Sequence, residues 1–401
     1  MPSVPLSILI VAADVPSRDA RWGNGGSLIS WELVTRLPSD VTVDLIAFAS
    51  TPAPVPVAVT ARLRQLRILP LRQGPSVYFV PLDPRGAGRA AWQRVTPASR
   101  AAVAAASERV DVTVLHGTQV LGLAPAVTGP LVVNEIDPWS LHVRQEAAAA
   151  TGVRRIWLTE LARRTARIER VATHRATGHV LVNPRDAERL TAILGRRVDA
   201  VSNGVLNGPP VLAEPPPVGA PMTLGFVGSL DYPPNREAAT VLARDVLPRV
   251  RERVHGVRLV VAGRQPPPAV LALGDLADVD VVGDFPDLAQ LLGRLHLAVF
   301  PDQRGYGVRN SVRDAIAHGV PIVAEPSAAR GLEAGPHLHV VRGGTLPLAE
   351  AVSDLLTAPG ALARARTAAR DAASQLPHWD DVVACYLDIF RAAAQVPDAI
   401  A

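Results

Sequence analysis

The sequence has no lysine. All 41 of its Lys+Arg positions are arginine, and against 37 Asp+Glu the formal net charge is only +4. The sequence pI of 9.9 therefore reflects guanidinium groups that never titrate, not a strongly basic surface. That balance argues against a bulk nucleic-acid binder. Arginine without lysine, beside abundant alanine and 37 prolines, is the mark of a GC-rich coding bias and carries no functional signal of its own. One cysteine, Cys385, excludes an internal disulfide and a cysteine-rich metal site and fits a reducing compartment. Long apolar runs are missing too: nowhere do about 18 apolar residues pass without Pro, Gly or charge, so no transmembrane span is expected. No basic n-region precedes the apolar run at 6–13, which reads as a first buried strand and not as a signal peptide. Together these absences predict a cytoplasmic protein, at most peripheral to a membrane.

What is present describes a globular chain. Hydrophobic residues make up 48% and charged residues 19%, which excludes intrinsic disorder. At about 100–200 residues per domain, 401 residues predict two domains, or three. Short runs rich in Val, Ile and Leu recur at 6–13, 41–48, 77–81, 112–115, 131–134 and 179–182, with helical spacing between most of them. The second half repeats the pattern at 223–227, 257–263, 279–282, 296–300, 320–324 and 339–341. Continuous apolar strands alternating with helices indicate parallel sheets covered on both faces. The expected organisation is a first domain over 1–205, a proline-rich linker over 206–221, and a second domain over 222–375. A helical segment at 376–401 either stays with its own domain or crosses back to the first.

In open α/β sheets ligands bind beyond the carboxyl ends of the strands, so the residues just after strands are the candidates. After the first strand, 14–27 (DVPSRDARWGNGGS) leads into a helix expected from about residue 28. Gly25 and Gly26 there offer backbone N–H groups that a phosphate can approach without a Cβ in the way, although an ordinary glycine turn explains a lone pair equally well. His116 and Asp137 each follow a strand. A strand-end histidine is often a hydrogen-bonded structural residue, and the acid can simply cap a turn; either could instead face a ligand, Asp137 orienting or deprotonating a hydroxyl with Glu135 as its competitor. In the second half, Gly228 follows a strand and Asn235 stands where a helix N-cap belongs. Then 301–323 (PDQRGYGVRNSVRDAIAHGVPIV) reads as a strand end, a glycine turn, a helix and a further strand.

That last string resembles the donor-binding signature of the GT-B glycosyltransferases of family 4, in the branch reading roughly G-x-G-I-K-N-K-V-L-E-A-M-A-x-G-x-P-V-V. Gly305, Gly307, Asn310, Val312, Ala315, Ala317, Gly319, Pro321 and Val323 fall in register. Residues 228–235, followed by Leu247-Pro248, resemble the same branch's G-S-x-x-Y-x-P-N motif and its sequel. The stretch 202–205 (SNGV) is similar to the motif that closes its first domain, and 134–140 (NEIDPWS) to its D-x-x-D-x-x-S segment. Several motifs in order over most of the chain are more specific than any one of them.

The resemblance implies an α/β GT-B fold, two doubly wound Rossmann-like domains facing across an interdomain cleft. It implies a nucleoside-diphosphate sugar held mainly by the second domain and an acceptor held mainly by the first, whether small molecule, lipid-linked or glycan. It further implies retaining, metal-independent transfer with no cofactor beyond the nucleotide-sugar co-substrate. Carried over residue by residue, donor contacts would come from Gly25, Gly26, Gly228, Asn235, Phe285, Gly307, Arg309, Asn310 and Asp314, with His116 and Asp137 the catalytic candidates. Departures accompany the match. The ribose-binding glutamate corresponds to Asp314, the first motif glutamate to Tyr306, and the two lysines to Arg309 and Ser311. Those losses leave room for a sugar-nucleotide binder without catalysis, and an epimerase of the same fold is a second alternative. Seven arginines against two glutamates over 151–178 could attract an anionic surface, but a solvated helix face accounts for them as well. No His, Cys or acidic cluster has metal-ligand spacing.

Overall fold

The computed structural model describes residues 5–18, 25–50, 55–73, 88–205, 212, 216, 220–285, 287–302 and 308–395. Its contacts divide the chain into two units, Met1–Asn203 with Trp379–Ala401, and Gly204–His378. The strand expected at 77–81 and nearly all of the 206–221 linker lie outside the described residues.

Unit 1 runs β1 (Leu6–Ala12), α1 (Gly25–Arg36), β2 (Val41–Ala49), α2 (Val57–Thr60), β3 (Leu63–Pro70), α3 (Arg89–Arg94), α4 (Pro97–Ser107), β4 (Val112–His116), β5 (Leu131–Ile136), α5 (Trp139–Ala149), α6 (Gly152–Arg175), β6 (Gly178–Leu181), α7 (Pro184–Leu194) and β7 (Asp199–Ala200). All neighbours are parallel, in the order β3-β2-β1-β4-β5-β6-β7. Ile8 to Ala12 are essentially inaccessible because helices cover both faces of β1.

Unit 2 runs β8 (Thr223–Val227), α8 (Pro233–Val241), α9 (Leu247–Arg251), β9 (Arg258–Gly263), α10 (Pro268–Leu271), β10 (Val279–Gly283), α11 (Leu288–Gly293), β11 (Leu297–Phe300), α12 (Asn310–Ala317), β12 (Ile322–Ala324), β13 (Leu338–Val340), α13 (Thr345–Thr357) and α14 (Ala361–Ala373). Its sheet is again parallel, in the order β10-β9-β8-β11-β12-β13. In each unit the order reverses beside the first strand, between β1 and β4 and between β8 and β11. In open α/β sheets such a reversal is where ligands bind.

The last helix, α15 (Trp379–Ala394), belongs to unit 1. Trp379, Val382, Val383, Tyr386, Leu387 and Phe390 form its buried stripe, at the i, i+3, i+4 spacing of an amphipathic helix. It packs on α1, β4, β5 and β6. The chain enters and leaves unit 2 side by side, through a parallel bridge between Val205 and His378 in which the Val205 N–H donates to the Pro377 carbonyl at 2.9 Å.

Candidate active site

In unit 2 the candidates gather at the reversal point. Arg309 is the N-cap residue of α12, one position before the helix's first residue, Asn310. Its guanidinium lies over the rings of Phe226, at 5.3 Å, and Phe300, at 5.2 Å, which stand near the ends of β8 and β11 and are themselves fully buried. One Nη2–H donates to Asn235 Oδ1 at 2.5 Å, Nε–H donates to Ser311 Oγ at 3.2 Å, and Nη1 pairs with Asp302. Of five guanidinium N–H groups, two remain without a partner among the described residues. Aromatic faces and fixed acceptors together hold this cation in one orientation.

Asn235 is not the N-cap expected of it. Its helix starts earlier, with Tyr232 at the N-cap and Pro233 and Pro234 in the first turn, because proline's fixed φ and missing N–H suit those positions. Asn235 sits inside that turn, buried, with Nδ2 donating to the Ser229 carbonyl at 2.8 Å. That bond fixes the amide and turns Oδ1 toward Arg309. Gly228 makes the arrangement possible, since a Cβ on it would stand 2.8 Å from Asn235 Nδ2. On the other side Gly263 admits the Gly228 carbonyl, which a Cβ there would meet at 1.7 Å.

Asp314 lies on α12, half-buried. Its carboxylate makes no hydrogen bond among the described residues, and burial pushes its pKa up to about 6 against the opposing charge of Arg313. Asn310 opens the same helix. Phe285 follows β10, half-buried against the unit 2 core. Gly307, with Gly305 and Tyr306, lies outside the described residues.

In unit 1, Gly25 and Gly26 do not precede α1. They form its first turn, three residues ahead of the expected start. His116, at the end of β4, is buried, and both ring nitrogens are engaged: Nε2–H donates to the Gly26 carbonyl at 2.8 Å, and Nδ1 accepts from Asn134 Nδ2 at 3.0 Å. Burial holds its pKa down at about 4, so the ring stays neutral. No nitrogen is left for a substrate. These bonds tie β4 to the first turn of α1.

Asp137 does remain available. It follows β5, half-buried, with Oδ1 shielded and unpartnered. Its pKa is pushed up to about 6, first by burial and then by Asp186, against His142. Its competitor Glu135 is wholly buried and bonded to His179 at 3.0 Å, which removes it from contention for a substrate hydroxyl.

Sequence reasoning missed Asp302, Phe226, Phe300 and the use of Ser311. Asp302 was readable as an acid just after a strand. The two phenylalanines look like any core residues until β8 and β11 become neighbours, which no local pattern reveals.

Residues 221–358 match the family model for glycosyl transferases group 1. Among curated proteins none matches the sequence. Among solved structures, HepE from Anabaena, in complex with UDP and glucose, is similar at TM-score 0.65 and 14% identity over 96% of this chain and 99% of that one. Sucrose-phosphate synthase from Thermosynechococcus elongatus gives TM-score 0.69 and 13% identity over 96% and 98%. A UDP-forming trehalose-phosphate synthase from Burkholderia xenovorans gives TM-score 0.59 and 13% identity over 98% and 100%. The fold is thus the two-domain α/β GT-B fold, and with the match over 221–358 it marks the chain as a glycosyltransferase. Among the described residues no helix is long and apolar enough to cross a membrane.

Proposed function

We propose that this chain is a retaining, metal-independent glycosyltransferase that moves a sugar from a nucleoside-diphosphate donor to an acceptor hydroxyl. The observation that carries it is Arg309, fixed at the β8/β11 reversal point with two N–H groups that have no partner among the described residues. A diphosphate leaving group needs charge stabilisation as the glycosidic bond breaks. A preoriented guanidinium beside the amino terminus of α12 supplies it without reorganisation. The Asp314 carboxylate, which makes no hydrogen bond among the described residues, supplies acceptors for a ribose diol. In the retaining course the departing diphosphate oxygen takes the acceptor's proton on the face it leaves from, so no enzyme nucleophile is required. Asp137, in unit 1, orients the acceptor hydroxyl.

The similar HepE structure holds UDP, which makes UDP the first nucleotide to try. A thermal-shift panel of UDP, GDP, ADP and dTDP with their sugars is expected to single out one base, because a ligand at 100 times its Kd adds about 2.7 kcal/mol. No shift with any of them would sink the proposal.

Asp314 gives the proposal a pH signature. A carboxylate accepts from both ribose hydroxyls, whereas the neutral acid presents a proton in place of one acceptor. Nucleotide affinity is therefore expected to rise with pH through about 6, where this group ionises. Asp314→Asn should bind about tenfold more weakly at pH 7.5 and show little pH dependence, about 1.4 kcal/mol being one decade. Calorimetric titration at pH 5 and 7.5 decides it; equal profiles for the two proteins would take Asp314 out of the site.

A further inference from the structure

The two sides of α6 are built differently. At 3.6 residues per turn, Leu158, Ala162, Thr165, Glu169, Ala172 and Thr173 share one side, and all six are buried. Leu158 and Ala162 pack there with Val143 and Ala147 of α5. The opposite side begins with Val153, Ile156 and Trp157, whose i, i+3, i+4 spacing sets them in one stripe. Every residue of 151–157 is exposed, so the first turn and a half of the helix is a free tip.

Exposed apolar side chains scattered singly mean little. These are not scattered. Val153, at 83% exposed, and Ile156, at 71%, are two of the three most exposed large hydrophobic side chains among the described residues, and they stand one helical turn apart. Trp157 beside them keeps 36% of its surface in solvent. A helix face built only for water puts charge at its most exposed positions, as α6 itself does farther along with Arg163, Arg167 and Arg170.

Charge is concentrated on the same helix. Seven of the 41 arginines and two of the 37 acids lie in α6. Outside it 34 cations face 35 acids, so the whole positive excess of the chain resides here. Of the two acids, Glu169 is buried on the inner side and Glu160 pairs with Arg164 at 2.9 Å. Arg154, Arg155, Arg167 and Arg170 make no ion pair among the described residues. The first turn holds no acid and Thr151 supplies no side-chain cap, while Arg154 and Arg155 stand at the end where the helix dipole is already positive. In water that arrangement is unfavourable, and an anionic neighbour reverses its sign.

An occupant of this tip must offer apolar depth and negative charge together. A bilayer with anionic headgroups offers both. At about 1.5 Å per residue the six-residue tip is about 9 Å long, within the depth to which interfacial helices bury their apolar side chains. Tryptophan favours that level. Nucleic acid would satisfy the arginines and leave Val153 and Ile156 in water. A second copy of the chain would cover the apolar stripe and set arginine against arginine across a two-fold contact.

We propose that the amino-terminal end of α6 docks this protein on an anionic phospholipid bilayer, with Val153, Ile156 and Trp157 entering the acyl boundary and the α6 arginines on the headgroup phosphates. The element lies in unit 1, and its role is independent of which donor unit 2 binds.

Co-sedimentation of the full chain with vesicles tests it. Phosphatidylcholine vesicles carrying about one-third phosphatidylglycerol should be bound at least tenfold more tightly than pure phosphatidylcholine, and the preference should fade as salt rises. Arg154→Gln with Arg155→Gln should weaken binding about 25-fold at low salt, about fivefold for each arginine near an anionic leaflet. Val153→Ser with Ile156→Ser should weaken it at least tenfold at every salt concentration, because apolar carbon is withdrawn from the lipid. Both double variants should melt as the wild type does, since these side chains are exposed. Phospholipids brominated along the acyl chain quench tryptophan on contact; they should quench the wild type and do so far less in Trp157→Phe.

Wild type that binds neither kind of vesicle overturns the proposal. So does binding that the arginine substitutions abolish and the serine substitutions leave intact, the behaviour of a solvated basic face held by charge alone. A lowered Tm in the serine pair would show those side chains packed, and self-association broken by the same pair without vesicle binding would make the tip a contact between copies. Binding to duplex DNA or RNA as tight as to the anionic vesicles would make α6 a general polyanion surface. Each of these three results overturns it as well.

Discussion

Arg309→Ala is expected to lower kcat/KM for sugar transfer by about 100-fold or more, the cost typical of removing one preorganised donor to a developing anion. It should also destabilise unit 2 by about 3–5 kcal/mol, because the carboxylate of Asp302 is left buried and unpaired. The two effects are separable. Adding Asp302→Asn to Arg309→Ala should recover most of the stability and none of the activity, whereas a purely structural arginine would regain activity with stability. Arg309→Lys should behave nearly like the alanine variant. A single ammonium cannot reach Asn235, Ser311 and Asp302 at once, nor lie flat against Phe226 and Phe300. Steady-state kinetics beside denaturant melts of the four proteins decide among these outcomes.

Asp137→Asn is expected to reduce kcat by about 100-fold, within the usual range for a positioned acid or base, while nucleotide affinity stays unchanged. Its pKa of about 6 puts the ionised form in the majority above that pH. Wild-type kcat should rise from pH 5 to 7, and the asparagine variant should lose that acid limb. A retained limb would assign it to another group; an undiminished kcat would move acceptor activation away from Asp137 altogether.

Much of this site could be reached from sequence because its backbone logic is local. Continuous apolar strands announced both parallel sheets, and the register from Asn310 to Val323 located α12. The edge strand β3 went unnoticed. Its residues, LRQLRILP, mix polar with apolar because most of its length faces solvent, so it lacks the uniform apolarity of the central strands. Asn235 and Gly25 were placed on the right loops but at the wrong helical positions, since a helix start shifts by a few residues when prolines or glycines can enter its first turn. The partners of His116 were hidden for a different reason. A histidine at a strand end looks the same in sequence whether its nitrogens face a ligand or the Gly26 carbonyl and Asn134, residues 90 and 18 positions away.

Placing α15 on unit 1 orders events during synthesis. Unit 1 begins before unit 2 in the sequence, yet its sheet lacks one buried partner helix, α15, until unit 2 has been made. Gly204–His378 is continuous, and its two ends are tied together by the Val205–His378 bridge. The second unit can thus complete its own core while the first still waits. Ribosome-bound chains halted near residue 378 should carry a protease-resistant second unit and a protease-sensitive first one, and for this protein the amino-terminal half is the last to become native.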